Sequence, residues 1–527
     1  MPNGSPLPWW KTAVAYQIYP RSFADTNGDG VGDLEGIRQH LDHLVWLGVD
    51  AVWISPFFRS PMKDYGYDIS DYCDVDPLFG DLAAFDALLA DAHERGLKVL
   101  IDWVPNHTSD QHVWFVDSKS DSTNARRNWY VWRDPAPDGG PPNNWVGSFM
   151  AGPAWTFDPS SGQYYLHCFL AEQPDLNWQE PAVVAAMHDT LRFWLDRGVD
   201  GFRMDVIHLI GKDPSLPDDD PALAALTHVP LNHRPETHTL LRDIRSLLDE
   251  YDGDRTSVGE VYLLDTSWVA EYYGQNDELH LCFNFLPLYT PFHATAWRRL
   301  VAQIEAELNP RGAWPTWVLS NHDNQRHRTR FGGSETRCRA AAFLLLGLRG
   351  TPFLYAGEEL GLADAVIPDD RRLDPGNRDG CRAPIPWNDE PSHGWATADP
   401  WLPWPPDVAS VNAVSQVADP DSLANLYRRL LRARRASAAL QLGDLGLLEL
   451  GAGVDRAVLA WNRIDPRTGD RRVVAVNFSD EKIEVPLHAS PHLTGSFQIE
   501  VSSNGEQEGD GFSGVLNAES AVILRPH

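Results

Sequence analysis

Ionisable side chains in this sequence collect at the ends of short apolar runs. Asp102 lies in the run 99–104, with Asn106 and His107 just beyond it. Arg203 and Asp205 lie in the run 201–206, Glu260 in 257–261, and His322 and Asp323 follow 317–320. In an extended run alternate residues share a face, so Arg203 and Asp205 project together while Phe202 and Met204 point the other way. A guanidinium beside a carboxylate favours the charged form, which predicts an ionised Asp205 at neutral pH. One carboxylate that attacks or stabilises an anomeric carbon, paired with one carboxyl that gives a proton to the leaving oxygen, is the equipment of glycosidic cleavage. The chain also carries 21 Trp, 15 Tyr and 20 Phe, and flat aromatic faces pack against the apolar faces of sugar rings. These runs hold no P-loop, no GxGxxG and no GxSxG, so nucleotide-dependent and serine-hydrolase chemistry find no support there.

Something must bring those run ends together. Three stretches repeat one grammar of helical stripe, glycine and apolar run. Ile37, Leu41, Leu44 and Val45 precede Gly48 and the run 51–56; Phe85, Leu88, Leu89 and Ala92 precede Gly96 and the run 99–104; Val184, Met187, Leu191, Trp194 and Leu195 precede Gly198 and the run 201–206. Stacked βα units with a parallel sheet follow from that grammar. The runs 13–19, 257–261, 279–285, 317–320 and 352–355 bring the count to eight. The predicted class is α/β, a (β/α)₈ TIM barrel, although a doubly wound open sheet reads similarly strand by strand. In a barrel all the strand ends open on one rim, where barrel active sites form. Between residues 106 and 175 lie roughly 70 residues rich in Asp, Pro, Gly, Trp and Tyr, too many for a simple loop. The expected division is a barrel over 1–106 and 175–438, an inserted subdomain over 107–174 after the third strand, and a C-terminal antiparallel β-sandwich over 439–527. Alternating segments at 457–461, 472–477 and 482–485 supply the last.

Composition narrows the class. Over 527 residues, 43% apolar and 22% charged content is that of a globular chain. Acids outnumber bases 74 to 44, a formal charge of −30, which speaks against nucleic-acid or anionic-membrane binding. Five separated cysteines without a CxxC pair argue against a disulfide framework or a zinc ribbon. Residues 1–11 lack the basic start and apolar stretch of a secretory leader, and no apolar stretch approaches membrane-spanning length, so a cytoplasmic location is expected.

Taken in order, AVAYQIYPRSF, DYGYDISDY, DWVPNH, QPDLNW, GFRMDV, GEV, SNHDNQR, GEELG and RDGCRAPIPW run from residue 13 to 387. In these motifs the sequence resembles the α-amylase family of glycoside hydrolases (family 13), in its α-glucosidase and oligo-1,6-glucosidase branch. The resemblance implies that Asp205 is the nucleophile, Glu260 the general acid and later base, and Asp323 the third acid that grips sugar hydroxyls. Retention of configuration, a family trait, implies carboxyls of Asp205 and Glu260 about 5–5.5 Å apart. Glu260 then needs to hold its proton, which burial away from Arg203 would secure. The resemblance further implies glucose contacts from His107, Arg203, His322, Phe169 and Gln173, closure of the non-reducing end by Asp64 and Tyr67, and completion of the pocket by Arg378 and Arg382. Asp102 is expected to order the rim. No organic cofactor is implied.

Asp25, Asn27, Asp29, the Val31 carbonyl and Asp33 place oxygens at every second position, with Gly30 at the turn. This resembles the start of an EF-hand loop, but Gly36 stands where the twelfth-position glutamate belongs. A compact five-ligand loop for a structural Ca²⁺, or Mg²⁺, is what this branch often carries. The alternative is a hydrated acidic turn. Val206 after the nucleophile accompanies α-1,6 cleavage in the branch, whereas RDGCRAPIPW resembles enzymes acting on maltose-type substrates. The expected function is a retaining exo-α-glucosidase acting on short α-glucosides such as maltose, isomaltose and sucrose, with transglucosylation, as a monomer or homodimer. A sugar isomerase of the trehalose- or isomaltulose-synthase type is the alternative; residues 371–374 read RRLD and continue PGN, without the RLDRD-type loop of the isomaltulose group. A non-catalytic binding subunit, the alternative of another class, is expected to lack catalytic acids or to carry an anchor.

Overall fold

The structure, a computed structural model, describes residues 7–148, 152–220, 233–487, 493 and 495–527. Residues 1–6, from which the absence of a leader was partly read, lie outside the described residues.

Eight parallel strands form the centre: β1 (Ala15–Ile18), β2 (Ala51–Ile54), β3 (Lys98–Trp103), β4 (Gly201–Met204), β5 (Thr256–Gly259), β6 (Leu281–Cys282), β7 (Thr316–Val318) and β8 (Thr351–Tyr355). Their hydrogen-bonded order is β6-β5-β4-β3-β2-β1-β8-β7. A side chain joins the two ends: Thr316 Oγ1 donates to the Cys282 carbonyl at 2.7 Å and accepts from the Asn284 amide at 3.0 Å. The sheet therefore closes on itself, as a barrel and not as an open doubly wound sheet. Alternation sorts the side chains: Ala15, Ala51, Trp53, Leu100, Val258 and Phe353 fill the interior, whereas Tyr16, Ile18, Val52, Ile54, Phe202 and Met204 face the helices. Arg203, between Phe202 and Met204, is thereby aimed inward. Strands β4 and β5 approach closely at Gly201, where a Cβ would meet the Thr256 carbonyl oxygen at 2.3 Å.

Helices Leu82–Glu94, Pro181–Asp196, Pro235–Asp249, Ala294–Leu308, Glu335–Gly347 and Leu423–Ala436 surround the strands. Asp81, Ser334 and Ser422 cap three of them by accepting from the amide three residues on. The first stripe departs from expectation. Its helix breaks at His40 into Leu34–Gln39 and Leu41–Leu47; the second piece buries Leu41, Leu44 and Leu47, which turns Val45 outward to 45% exposure. Gly48 ends it with φ 100°, the left-handed cap predicted from its position.

Between β3 and β4 the chain makes a three-stranded antiparallel sheet, Trp132–Arg133, Gln163–Leu166 and Trp155–Asp158 in spatial order. Trp145, Trp155 and Leu166 pack there against Val206 and Leu209, so this sheet leans on the segment that leaves β4. The C-terminal part is one five-stranded antiparallel sheet, Asp444–Leu447, Val458–Ile464, Arg471–Asn477, Ala521–Pro526 and Phe497–Ser502 in order, with a two-stranded partner Ile483–Glu484 and Val515–Leu516. One face buries Val458, Val473 and Leu524 beneath Val485 and Leu516. The other lies on the barrel helices, where Trp461 Nε1 donates to the Gly347 carbonyl at 3.1 Å. All five cysteines are unpaired thiols. No helix of the described residues is long and apolar enough to cross a membrane.

Candidate active site

Strand register builds the floor of the site. Asp102 on β3 and Val258 on β5 are the neighbours of Arg203 across the parallel ladder. Arg203 Nη1 donates to Asp102 Oδ1 and Asp205 Oδ1, each at 2.7 Å, and Nη2 donates to Glu260 Oε2. The amide of Val206 donates to the same Glu260 oxygen at 3.1 Å. To make that contact Val206 takes φ 34°, ψ 39°, a left-handed conformation that strains a β-branched residue by about 1–3 kcal/mol.

Three carboxylates thus share one guanidinium, and this corrects two expectations. Glu260 does not sit away from Arg203; it is one of its three acceptors. Arg203 also does not by itself hold Asp205 ionised: burial pushes the Asp205 carboxyl well above its ordinary value, Arg203 opposes that, and the neighbouring Glu260 and Asp102 reinforce it. Asp102 is pushed to about 6 by burial against the pull of Arg203.

The opposite wall has the reverse balance. Asp323 Oδ1 accepts from Arg378 Nη1 at 2.9 Å and from Arg382 Nη2 at 3.0 Å. Arg378 also reaches Asp64 at 2.6 Å and Asp374 at 2.6 Å. Burial alone would raise Asp323, but His322 and the two guanidiniums outweigh it and hold this carboxyl well below the usual range. Burial pushes His322 itself down to about 3, so at neutral pH the guanidiniums carry that effect.

A chain of hydrogen bonds connects the two walls. Gln17 Nε2 donates to His322 Nδ1 at 2.7 Å, which leaves the proton of the neutral ring on Nε2. His322 Nε2 meets the Tyr67 hydroxyl at 2.5 Å, and that hydroxyl donates to Asp102 Oδ2 at 3.1 Å. The rings of Tyr67 and His322 stack at 5.4 Å with 8° between their planes.

Between the walls lies a cavity of about 320 Å³. Asp205, Glu260, Asp323, Asp64, Tyr67, His107, Phe169 and Arg378 line it. Gln173, Arg203, His322 and Arg382, grouped by the resemblance with the sugar contacts, stand one layer behind. Gln173 braces Asp64 and His107, each at 3.1 Å, and Arg382 donates to the His322 carbonyl at 2.7 Å. Asp102 is wholly buried and bound by Arg203, Trp53 and Tyr67, in keeping with an ordering role. Burial pushes His107 down to about 4, so it too is neutral near pH 7. Sequence reasoning missed the mouth, where Tyr262 and Tyr289 join hydroxyls at 2.7 Å and Tyr289 donates to Asn324 at 3.3 Å. The only sequence signal was nearness, Tyr262 two places after Glu260 and Asn324 next to Asp323.

The acidic loop is elsewhere, after β1, and none of its residues lines the cavity. Asp25 Oδ1 accepts from the amides of Asn27 and Gly28, Asn27 from Asp29, Asp29 from Val31, and Asp33 from Thr26 and Gly36. No ion pair is formed by Asp25, Asp29 or Asp33 among the described residues, and their oxygens do not all come within 4.8 Å of one another. An all-oxygen set of unneutralised carboxylates has the donor chemistry of a hard cation site.

Comparison with known proteins agrees with this geometry. The α-amylase description "Alpha amylase, catalytic domain" matches residues 17–443. A probable α-glucosidase of Rhizobium meliloti is 44% identical, over 84% of this chain and 85% of its own. Among solved structures, an α-glucosyl transfer enzyme superposes with a TM-score of 0.90 at 40% identity, over 99% of this chain and 100% of its own. The trehalulose synthase of Pseudomonas mesoacidophila MX-45 superposes at 0.91 with 32% identity, over 99% and 100%. With its closed barrel, its rim of paired carboxylates and a match across most of its length, the chain belongs to the α-amylase family of glycoside hydrolases.

Proposed function

We propose that the protein is a retaining exo-α-glucosidase that releases terminal glucose from short α-glucosides and passes part of it to acceptors other than water. The observation that carries this reading is the fork of Arg203, whose two nitrogens reach Asp205 and Glu260 at once. Carboxyls within the span of one guanidinium suit direct attack by one of them better than the wider gap of about 6.5–9.5 Å that holds a water in inverting enzymes. Asp205 attacks the anomeric carbon while Glu260 gives its proton to the departing oxygen. Glu260 then takes a proton from the incoming water or sugar hydroxyl, which displaces Asp205. Asp323, with Arg378, grips ring hydroxyls as the ring flattens. Asp64, pinned by Arg378 and Gln173, closes the end of the pocket, which favours exo action.

A second reading, isomerisation of sucrose, has the trehalulose synthase likeness in its favour. Incubation with maltose, isomaltose, sucrose and trehalose separates the two. Glucose as the main product, appearing first as the α-anomer by NMR, is expected; a new disaccharide as the main product supports isomerisation, and early β-glucose overturns retention.

The loop of Asp25, Asn27, Asp29, Val31 and Asp33 is assigned in this proposal to a structural Ca²⁺, with Mg²⁺ as the alternative ion. Its donors would ligate through side-chain oxygens and the Val31 carbonyl. The proposal also keeps a cytoplasmic monomer or homodimer, and the division at 106, 175 and 438.

A further inference from the structure

Outside the cavity, two histidines and a glutamate meet where the segments following β4 and β5 pack together. His233 lies just before helix Pro235–Asp249, His238 in its first turn, and Glu271 at the end of helix Thr266–Glu271. One ligand atom from each lies within 4.8 Å of the other two, and His233 Nε2 is 3.1 Å from Glu271 Oε2. Ligands around a tetrahedral Zn²⁺ at about 2.1 Å stand about 3.4 Å apart, a spacing that rotation of the half-exposed Glu271 side chain reaches.

The histidines are set up as ligands. Glu278 accepts on both oxygens, from His238 Nδ1 at 2.7 Å and from Arg242 Nη1 at 2.8 Å. The proton of His238 is therefore on Nδ1, and Nε2 presents a lone pair. That Nε2 is buried without a partner among the described residues, while His233 turns its Nε2 toward Glu271. Leaving such an atom unmet costs stability, which a bound ion would recover. A carboxylate that orients a histidine through its far nitrogen is the usual support of a metal-bound imidazole. Stacking on Trp268, at 5.3 Å and 7°, fixes the His233 ring.

We infer that His233, His238 and Glu271 form a binding site for one divalent transition-metal ion of the zinc type, with Glu278 orienting His238. Two imidazole nitrogens and one carboxylate select Zn²⁺ over Ca²⁺ or Mg²⁺, which take oxygen ligands. The ion would tie the segment leaving Asp205 to the segment leaving Glu260, without touching the cavity.

The test is a Zn²⁺ titration of the full chain, without a histidine tag and in excess Ca²⁺, against a chromophoric chelator. One Zn²⁺ per chain is expected, with a rise in Tm. His238→Ala should weaken binding at least tenfold, and Glu278→Gln by about 10–100-fold, with glucose release and circular dichroism showing that both variants fold. Absence of stoichiometric binding to the parent chain overturns the site. Binding to His238→Ala and His233→Ala as tight as to the parent overturns it equally.

Discussion

Two acid clusters face one another across the same cavity with opposite charge ratios. Three carboxylates, Asp102, Asp205 and Glu260, surround the single guanidinium of Arg203. Asp64, Asp323 and Asp374 surround two, Arg378 and Arg382. At Arg203 burial prevails and pushes Asp205 and Asp102 up. Across the cavity burial is outweighed, and Asp323 and Asp374 are held below the ordinary carboxylate range. The opposite directions follow the local count of guanidiniums, which sets how far ion pairing offsets burial on each wall. The two proposed tasks differ in the same way, since one wall must handle a proton and the other must stay anionic to hold hydroxyls.

The largest expected effect tests that division directly. Asp205→Asn keeps an oxygen for Arg203 but removes the nucleophile, and should lower kcat/KM on maltose by at least about 10⁴-fold. Asp323→Asn leaves Arg378 and Arg382 in place and should cost about 10²–10³-fold, the scale of one lost transition-state contact. Losses within tenfold of each other would show that the walls do not divide the work.

Most of the frame behind these clusters was legible. Gly48, Gly96 and Gly198 all adopt positive φ at the ends of the stripes they were read to stop, because a helix stop before a strand leaves a local mark. The strand-end acids were legible for the same reason: strand alternation alone aims Arg203 and Asp205 inward. Depth was not. Arg378 and Arg382 are one helical turn apart, yet the first faces the cavity and the second is buried behind it, and no spacing rule distinguishes a wall from its backing. Nor does spacing reveal that Glu260 shares Arg203, which depends on how far two side chains reach across β4 and β5. His233 and Glu271 escaped notice because they come from different strand–helix connections, and their meeting is purely tertiary.

The pH dependence of stability sharpens the comparison with a smaller effect. The folded pKa of Asp102, about 6, exceeds its unfolded value of about 3.9. Between these values only the native chain holds the proton, so this group stabilises at low pH and the benefit is lost as pH rises toward 6. Asp323 has the opposite sign: its folded pKa lies below the unfolded one, so its contribution is present above about pH 4 and is lost as pH falls through the folded value. Urea unfolding of Asp102→Asn from pH 4 to 7 should show the parent's advantage shrinking with rising pH by about 1–3 kcal/mol. With Asp323→Asn, followed from about pH 5 down to about pH 2, the parent's advantage should shrink toward acid instead. The same slope in both variants would contradict the opposed walls.

The acidic loop carries the ratio to its limit, with three carboxylates in no ion pair among the described residues, and its negative charge is met by backbone amides and the Thr26 hydroxyl. If the charge ratio governs these clusters, this one should respond most to an added cation and least to changes in catalysis. Ca²⁺ added to chelator-treated protein should raise Tm by about 1–4 °C. Glucose release should stay within about twofold, because positioning effects reach the rate only through displaced reacting groups and none of these residues lines the cavity. Asp29→Asn preserves the acceptor for the Val31 amide and should abolish most of the Ca²⁺ response, whereas His238→Ala should retain it. A Tm that ignores Ca²⁺ in the parent would mean that the turns alone carry the loop's charge, and that a carboxylate cluster here needs neither guanidinium nor metal.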